Sequence, residues 1–108
     1  MANLNLFIGE GILCTDPKIR YTKDDEKAVC NFTLLIENSY KSKKNNNNVQ
    51  FKKRQAYIPV VAWDNKANMI SKEYQKGDKI RVTGRVTTEI NNFEVILDDI
   101  CLIKGYLG

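Results

Sequence analysis

Histidine is absent from the chain, which excludes a catalytic Cys-His pair and any histidine-dependent triad and removes the commonest partner for a metal-binding cysteine. Only one convincing helix and no glycine-rich strand-to-helix loop are present, so neither a helix-turn-helix nor a Rossmann fold is expected. No apolar run approaches the roughly 18 to 20 residues of a membrane span. The opening MANLNLFIGEG also lacks the basic region and small-residue cleavage site of a secretory signal. A cytoplasmic protein is expected. Cysteine is scarce: Cys14, Cys30 and Cys101 are odd in number, widely spaced and set in apolar or strand-like surroundings, and they read as reduced structural thiols. Carboxylates are poorly grouped, since Asp98 and Asp99 are adjacent on a predicted strand and should face opposite ways, while the other acids scatter in turns. No enzyme, no metal and no cofactor is expected.

With 108 residues there is room for one domain and one core. Seventeen Lys and Arg against thirteen Asp and Glu leave a net charge of +4 and a pI near 9.0. That balance suits a polyanion, and its distribution is more telling. Tyr40 to Arg54, YKSKKNNNNVQFKKR, holds six basic residues and no acid. Its four asparagines among lysines have no apolar periodicity, and a mobile basic loop is expected over about 39–53.

The stretch QAYIPVVAWDNK, Gln55 to Lys66, organises the rest. Ala56, Ile58, Val60 and Ala62 alternate with Tyr57, Pro59, Val61 and Trp63, so one face builds core and the other offers rings. Asp64 then stands where an N-cap belongs, and Ala67, Ile70 and Tyr74 form one helical stripe closing at Gly77. Upstream, Leu4 to Leu13 reads as a first strand bent at Gly9 and Gly11. Lys18 to Thr22 is a short extended piece, and Ala28 to Glu37 is a long strand with Cys30, Phe32, Leu34 and Ile36 inward. Downstream, Asp78 to Thr88 turns Ile80, Val82 and Val86 inward and bends at Gly84. Phe93 to Ile103 is the last strand, with Phe7 and Phe93 also assigned to the core. Five strands with one short helix between the third and fourth predict an all-β, partly open Greek-key barrel, the OB-fold.

Rings set among Lys and Arg are what sequence-tolerant binding of single strands needs, because every base has a π-face to stack. Tyr57 and Trp63 are an even number of residues apart, so their rings share a face at about 20 Å. Tyr40 and the cations Lys41, Lys43 and Lys44, with Lys52, Lys53 and Arg54, cover one end, and Arg81 and Arg85 are placed to take phosphates. The competing reading of Trp63 is a core plug or helix lid. Asn31, on the outer face, is open to a subunit or a base contact.

Several motifs in order carry a resemblance. Asn5 followed by LFIG, DPKIRY at 16–21, AVCNFTL at 28–34, VVAW at 60–63 and EYQKGDKIRVTGRV at 73–86 are similar to the bacterial and phage single-stranded DNA-binding proteins, the SSB family, over nearly the whole chain. The resemblance implies an OB-fold that coats single-stranded DNA without sequence preference in replication, recombination and repair, in association with the nucleoid. It also implies assembly as a dimer or tetramer through the first strands. The family's stacking aromatics fall on Tyr40, Tyr57 and Trp63, and its basic positions near DNA on Arg20 and Lys76. Three departures stand out. The hairpin Ile90-Asn91-Asn92 lacks the family's fourth aromatic, Pro59 replaces a polar or basic residue, and no acidic recruiting tail follows Gly108. These fit a phage or mobile-element version or a shortened chain. Two other binding readings compete: a replication-restart or RNA-binding OB protein, and an OB module that contacts protein.

Overall fold

The computed structural model describes residues 3–43, 49–89 and 92–103. Strands β1 (Phe7–Leu13), β2 (Lys18–Tyr21), β3 (Ala28–Lys43) and β4 (Val49–Trp63) lead into helix α1 (Asp64–Glu73), followed by β5 (Lys79–Glu89) and β6 (Asn92–Leu102). The strand order is β1-β5-β6-β4-β3-β2, and β1 pairs again with β3. Five strands therefore close into a barrel, and β2 is an added edge on β3. The helix sits between the third and fourth barrel strands, as the OB-fold requires. Among the described residues no helix is long and apolar enough to cross a membrane.

Closure depends on β1 changing partner along its length. Phe7 to Ile12 face Gly84 to Lys79 of β5, while Ile12 and Leu13 face Leu35 and Leu34 of β3. Gly11 stands at the exchange, where a Cβ would come within 2.0 Å of the Leu35 carbonyl oxygen. Only a residue without a side chain lets the strands pass so closely. At the other seam the β5–β6 register slips between Thr83 and Gly84. This bulge exposes both Asp98 and Asp99, correcting the expectation that they face opposite ways.

The alternation in sequence accounts for most of the core. Leu13, Cys30, Leu34, Ile80, Val82 and Val95 are fully enclosed, with Val60, Ala62 and Phe32 beside them and Phe7 and Ile58 packed at the margin. Burial pushes the Cys30 thiol up from its ordinary value. Ala67 and Ile70 of α1 are fully buried, and Tyr74 packs against the core with its hydroxyl donating to the Ile100 carbonyl at 3.4 Å.

Several assignments change. Phe93 and Val86 are exposed: Val86 lies beyond the β1–β5 pairing, which ends at Phe7↔Gly84, and Phe93 lies near the hairpin end of β6. There Asn5 holds Val86 by side-chain bonds of 2.7 and 2.8 Å to its backbone. Cys101 lies on strand β6, as expected, with its side chain exposed. Val29 and Val61 belong to the outer face yet are buried, Val61 lying in register between Asn31 and Ile96. Asp64 is not the N-cap: Trp63 holds that position, and Asp64 opens the helix with φ 55°, a left-handed backbone that aspartate tolerates. The helix ends at Glu73, before the expected Gly77.

Pro59 fits the barrel for a definite reason. Its partner Thr33 turns its N–H to Thr15 Oγ1 and its C=O to the Cys14 N–H, both at 3.0 Å. Thr33 and Pro59 therefore form a non-hydrogen-bonded pair, and the missing proline donor costs no β3–β4 bond.

β3 and β4 extend beyond the expected strand ends. They stay in register from Val29↔Trp63 to Lys43↔Val49, so a two-stranded ribbon occupies most of the stretch expected as a loop. Residues 44–48, and with them Lys44, lie outside the described residues.

Candidate nucleic-acid interface

Alternation along the unbroken β3–β4 ladder decides which side chains share a face. On the outer face Trp63 stands opposite Val29, Val61 opposite Asn31, Pro59 opposite Thr33 and Tyr57 opposite Leu35. Further out come Gln55 with Glu37, Lys53 with Ser39 and Phe51 with Lys41. Trp63 is 39% exposed and Tyr57 59%, so both rings are open to solvent. The core-plug reading of Trp63 is thereby set aside.

Cations flank these rings. β2 brings Lys18 alongside Asn31 and Arg20 alongside Val29, and the Arg20 guanidinium donates to Asn31 Oδ1 at 3.1 Å. A shallow groove runs beside them, lined by Asp16, Lys18, Arg20, Asn31, Thr33 and Pro59. Lys76 lies at its end, its backbone N–H donating to Asp16 Oδ1 at 3.3 Å. On the other side of β4, Arg85 is in register with Ile96, which is itself in register with Val61. Trp63, Lys66, Arg85 and Ile96 line a second hollow there, where Arg85 contacts Asp98 at 3.4 Å.

Not every expected residue joins this face. Tyr40 pairs with Lys52 and Asn38 with Arg54, all on the opposite side of the ribbon, where the Arg54 guanidinium lies over the Tyr40 ring at 4.4 Å. Tyr40, Lys52 and Arg54 therefore form their own cluster, apart from Tyr57 and Trp63. Arg81 is engaged by Glu10 at 2.6 Å, a contact that raises its pKa chiefly through the hydrogen bond. Lys43 closes the described ladder opposite Val49.

A carboxylate also sits on the outer face of the ribbon. Glu37 accepts a 2.8 Å hydrogen bond from Gln55 and lies 3.6 Å from the Lys53 ammonium. These partners, Gln55 first, hold its carboxyl below the usual range. Sequence reasoning missed Phe51, which is 71% exposed with the Lys41 ammonium 5.9 Å from its ring. Its even separation from Tyr57 and Trp63 was the available signal.

Comparison with known proteins bears on the family and the fold. The profile of the family described as "Single-strand binding protein family" matches residues 4–94. The chain is 34% identical over a 114-residue alignment to a single-stranded DNA-binding protein of Caldanaerobacter subterraneus subsp. tengcongensis, covering 97% of this chain and 71% of that one. It is 32% identical over 85 residues to single-stranded DNA-binding protein 2 of Clostridium acetobutylicum, covering 79% of this chain; the match spans 59% of that relative's length. A solved Plasmodium falciparum SSB complex with ssDNA has the same fold, with a TM-score of 0.78 at 21% identity, covering 96% of this chain and 98% of that one.

Proposed function

Because the chain belongs to the single-strand binding protein family, we propose that it is a non-catalytic protein that coats single-stranded DNA without sequence preference. It would protect transient single strands during replication, recombination and repair, in the cytoplasm and on the nucleoid. The observation that carries this reading is the pair of open rings, Tyr57 and Trp63, on one face of β4 with cations on either side.

Bases stack on the two rings, each stacked base contributing roughly 1 to 3 kcal/mol. Arg20, Lys41, Lys53, Lys76 and Arg85 meet phosphates along the same path. Tyr40, Lys52 and Arg54 lie on the other side of the ribbon and contribute less, adding positive potential together with Lys43, Lys44 and Arg81. Neutralising phosphates releases counterions, so affinity falls as salt rises. Assembly into a dimer or tetramer is supported by Leu4, Leu6 and Ile8, which are exposed along and before β1.

Trp63 is the only tryptophan and reports directly on binding. Titration with oligo-dT at two salt concentrations should quench it, with a weaker midpoint at the higher salt. Absence of both quenching and complex formation at low salt would overturn the proposal in favour of a protein-contacting module. Equal affinity for RNA would favour an RNA-binding role.

A further inference from the structure

We infer that Phe51 is a third stacking ring and that it carries the path of the single strand off the barrel and onto the β3–β4 ribbon. The inference rests on the reading of Tyr57 and Trp63 as stacking rings and adds a binding position to it. Phe51, Tyr57 and Trp63 follow one another along β4 at equal, even intervals. The ladder from Trp63 to Val49 has no slip, so all three side chains leave the strand on one face. At about 3.3 Å per residue the rings are spaced about 20 Å apart. The twist of a two-stranded ribbon turns Phe51 about the strand axis, so the path curls rather than running straight.

Phe51 is the most open of the three rings and belongs to no part of the core, so packing does not account for a phenylalanine there. Its surroundings match a base-and-phosphate position. Lys41, its cross-strand partner, brings a cation to 5.9 Å from the ring centroid, and Lys53, paired with Glu37, follows two residues along the same face. Tyr40, the ribbon ring expected from the sequence, is on the opposite face with Arg54 over it, so it does not continue this line. The bland alternative is that Phe51 merely covers the stem of Lys41, a cross-strand pair with no ligand. That alternative predicts no change in binding when the ring is removed.

The experiment uses the full chain and labelled oligo-dT of about 6 and about 16 nucleotides, within the range that one OB-fold accommodates. Affinity is read by fluorescence anisotropy for the wild type and for Phe51→Ala, Phe51→Tyr and Trp63→Ala. Trp63→Ala should weaken both lengths. Phe51→Ala should weaken only the longer one, by roughly 5- to 100-fold, and Phe51→Tyr should keep near-wild-type affinity. If Phe51→Ala leaves the longer oligomer unaffected, or weakens both lengths alike, the inference is overturned. If the wild type binds neither length, the underlying reading of Tyr57 and Trp63 falls instead.

Discussion

The guanidinium of Arg54 lies 4.4 Å from the centroid of the Tyr40 ring, on the side of the ribbon away from Tyr57. One face of that ring is thus already covered by a cation, an arrangement worth about 0.5 to 1 kcal/mol at an exposed site. Tyr40→Ala should therefore weaken oligo-dT binding less than Trp63→Ala, for which a loss of about 1 to 3 kcal/mol is expected. Parallel titrations decide the matter. Equal losses would place the strand on both sides of the ribbon.

Glu37 tempers the outer face by holding Gln55 and Lys53. Glu37→Gln should tighten binding to long oligomers and steepen the salt slope by about 0.7, the value for one added phosphate contact on a single strand. The pH dependence follows from the direction of the shift. Because the folded carboxyl titrates below its ordinary value, the bridge is intact at neutral pH and is lost only as pH falls through that lowered value. Wild-type affinity should then approach that of Glu37→Gln, as measured at constant ionic strength.

Gly11 marks the place where β1 leaves β5 for β3. Gly11→Ala would push a methyl into the Leu35 carbonyl. Such crowding typically costs about 1 to 3 kcal/mol. A lowered urea midpoint is expected, whereas Lys72→Ala on the exposed side of α1 should leave the midpoint nearly unchanged.

The helix is anchored by Ile70, which has no exposed surface. Ile70→Ala should destabilise the fold by about 2 to 5 kcal/mol, as large-to-small core changes do. Because α1 begins directly after Trp63, a changed tryptophan emission in the still-folded variant would report loosening at that junction.

The barrel strands were legible because each half-buried segment repeats at a period of two, as Cys30, Phe32 and Leu34 do against Ala62, Val60 and Ile58. The ring face followed from the same parity at Tyr57 and Trp63. The ribbon did not, since Tyr40, Lys41 and residues 50–54 are all exposed and the polar residues of this stretch leave no apolar rhythm for pairing to display. Phe51 and the true side of Tyr40 were lost with it. Bulges erased parity elsewhere: the slip beside Gly84 sets Asp98 and Asp99 both in solvent, which no count by twos anticipates. Asp64 was misread because a cap and a left-handed first residue draw on the same amino acid.

An unbroken register makes the ribbon sensitive to odd changes in length. One residue inserted between Gln55 and Tyr57 would rotate Phe51 to the Tyr40 side while Tyr57 and Trp63 stayed in place, unless a new bulge absorbed it. Two inserted residues would return the phenylalanine to its former side, one step farther out. Relatives that lengthen this arm should therefore do so in pairs, or move their aromatics to match.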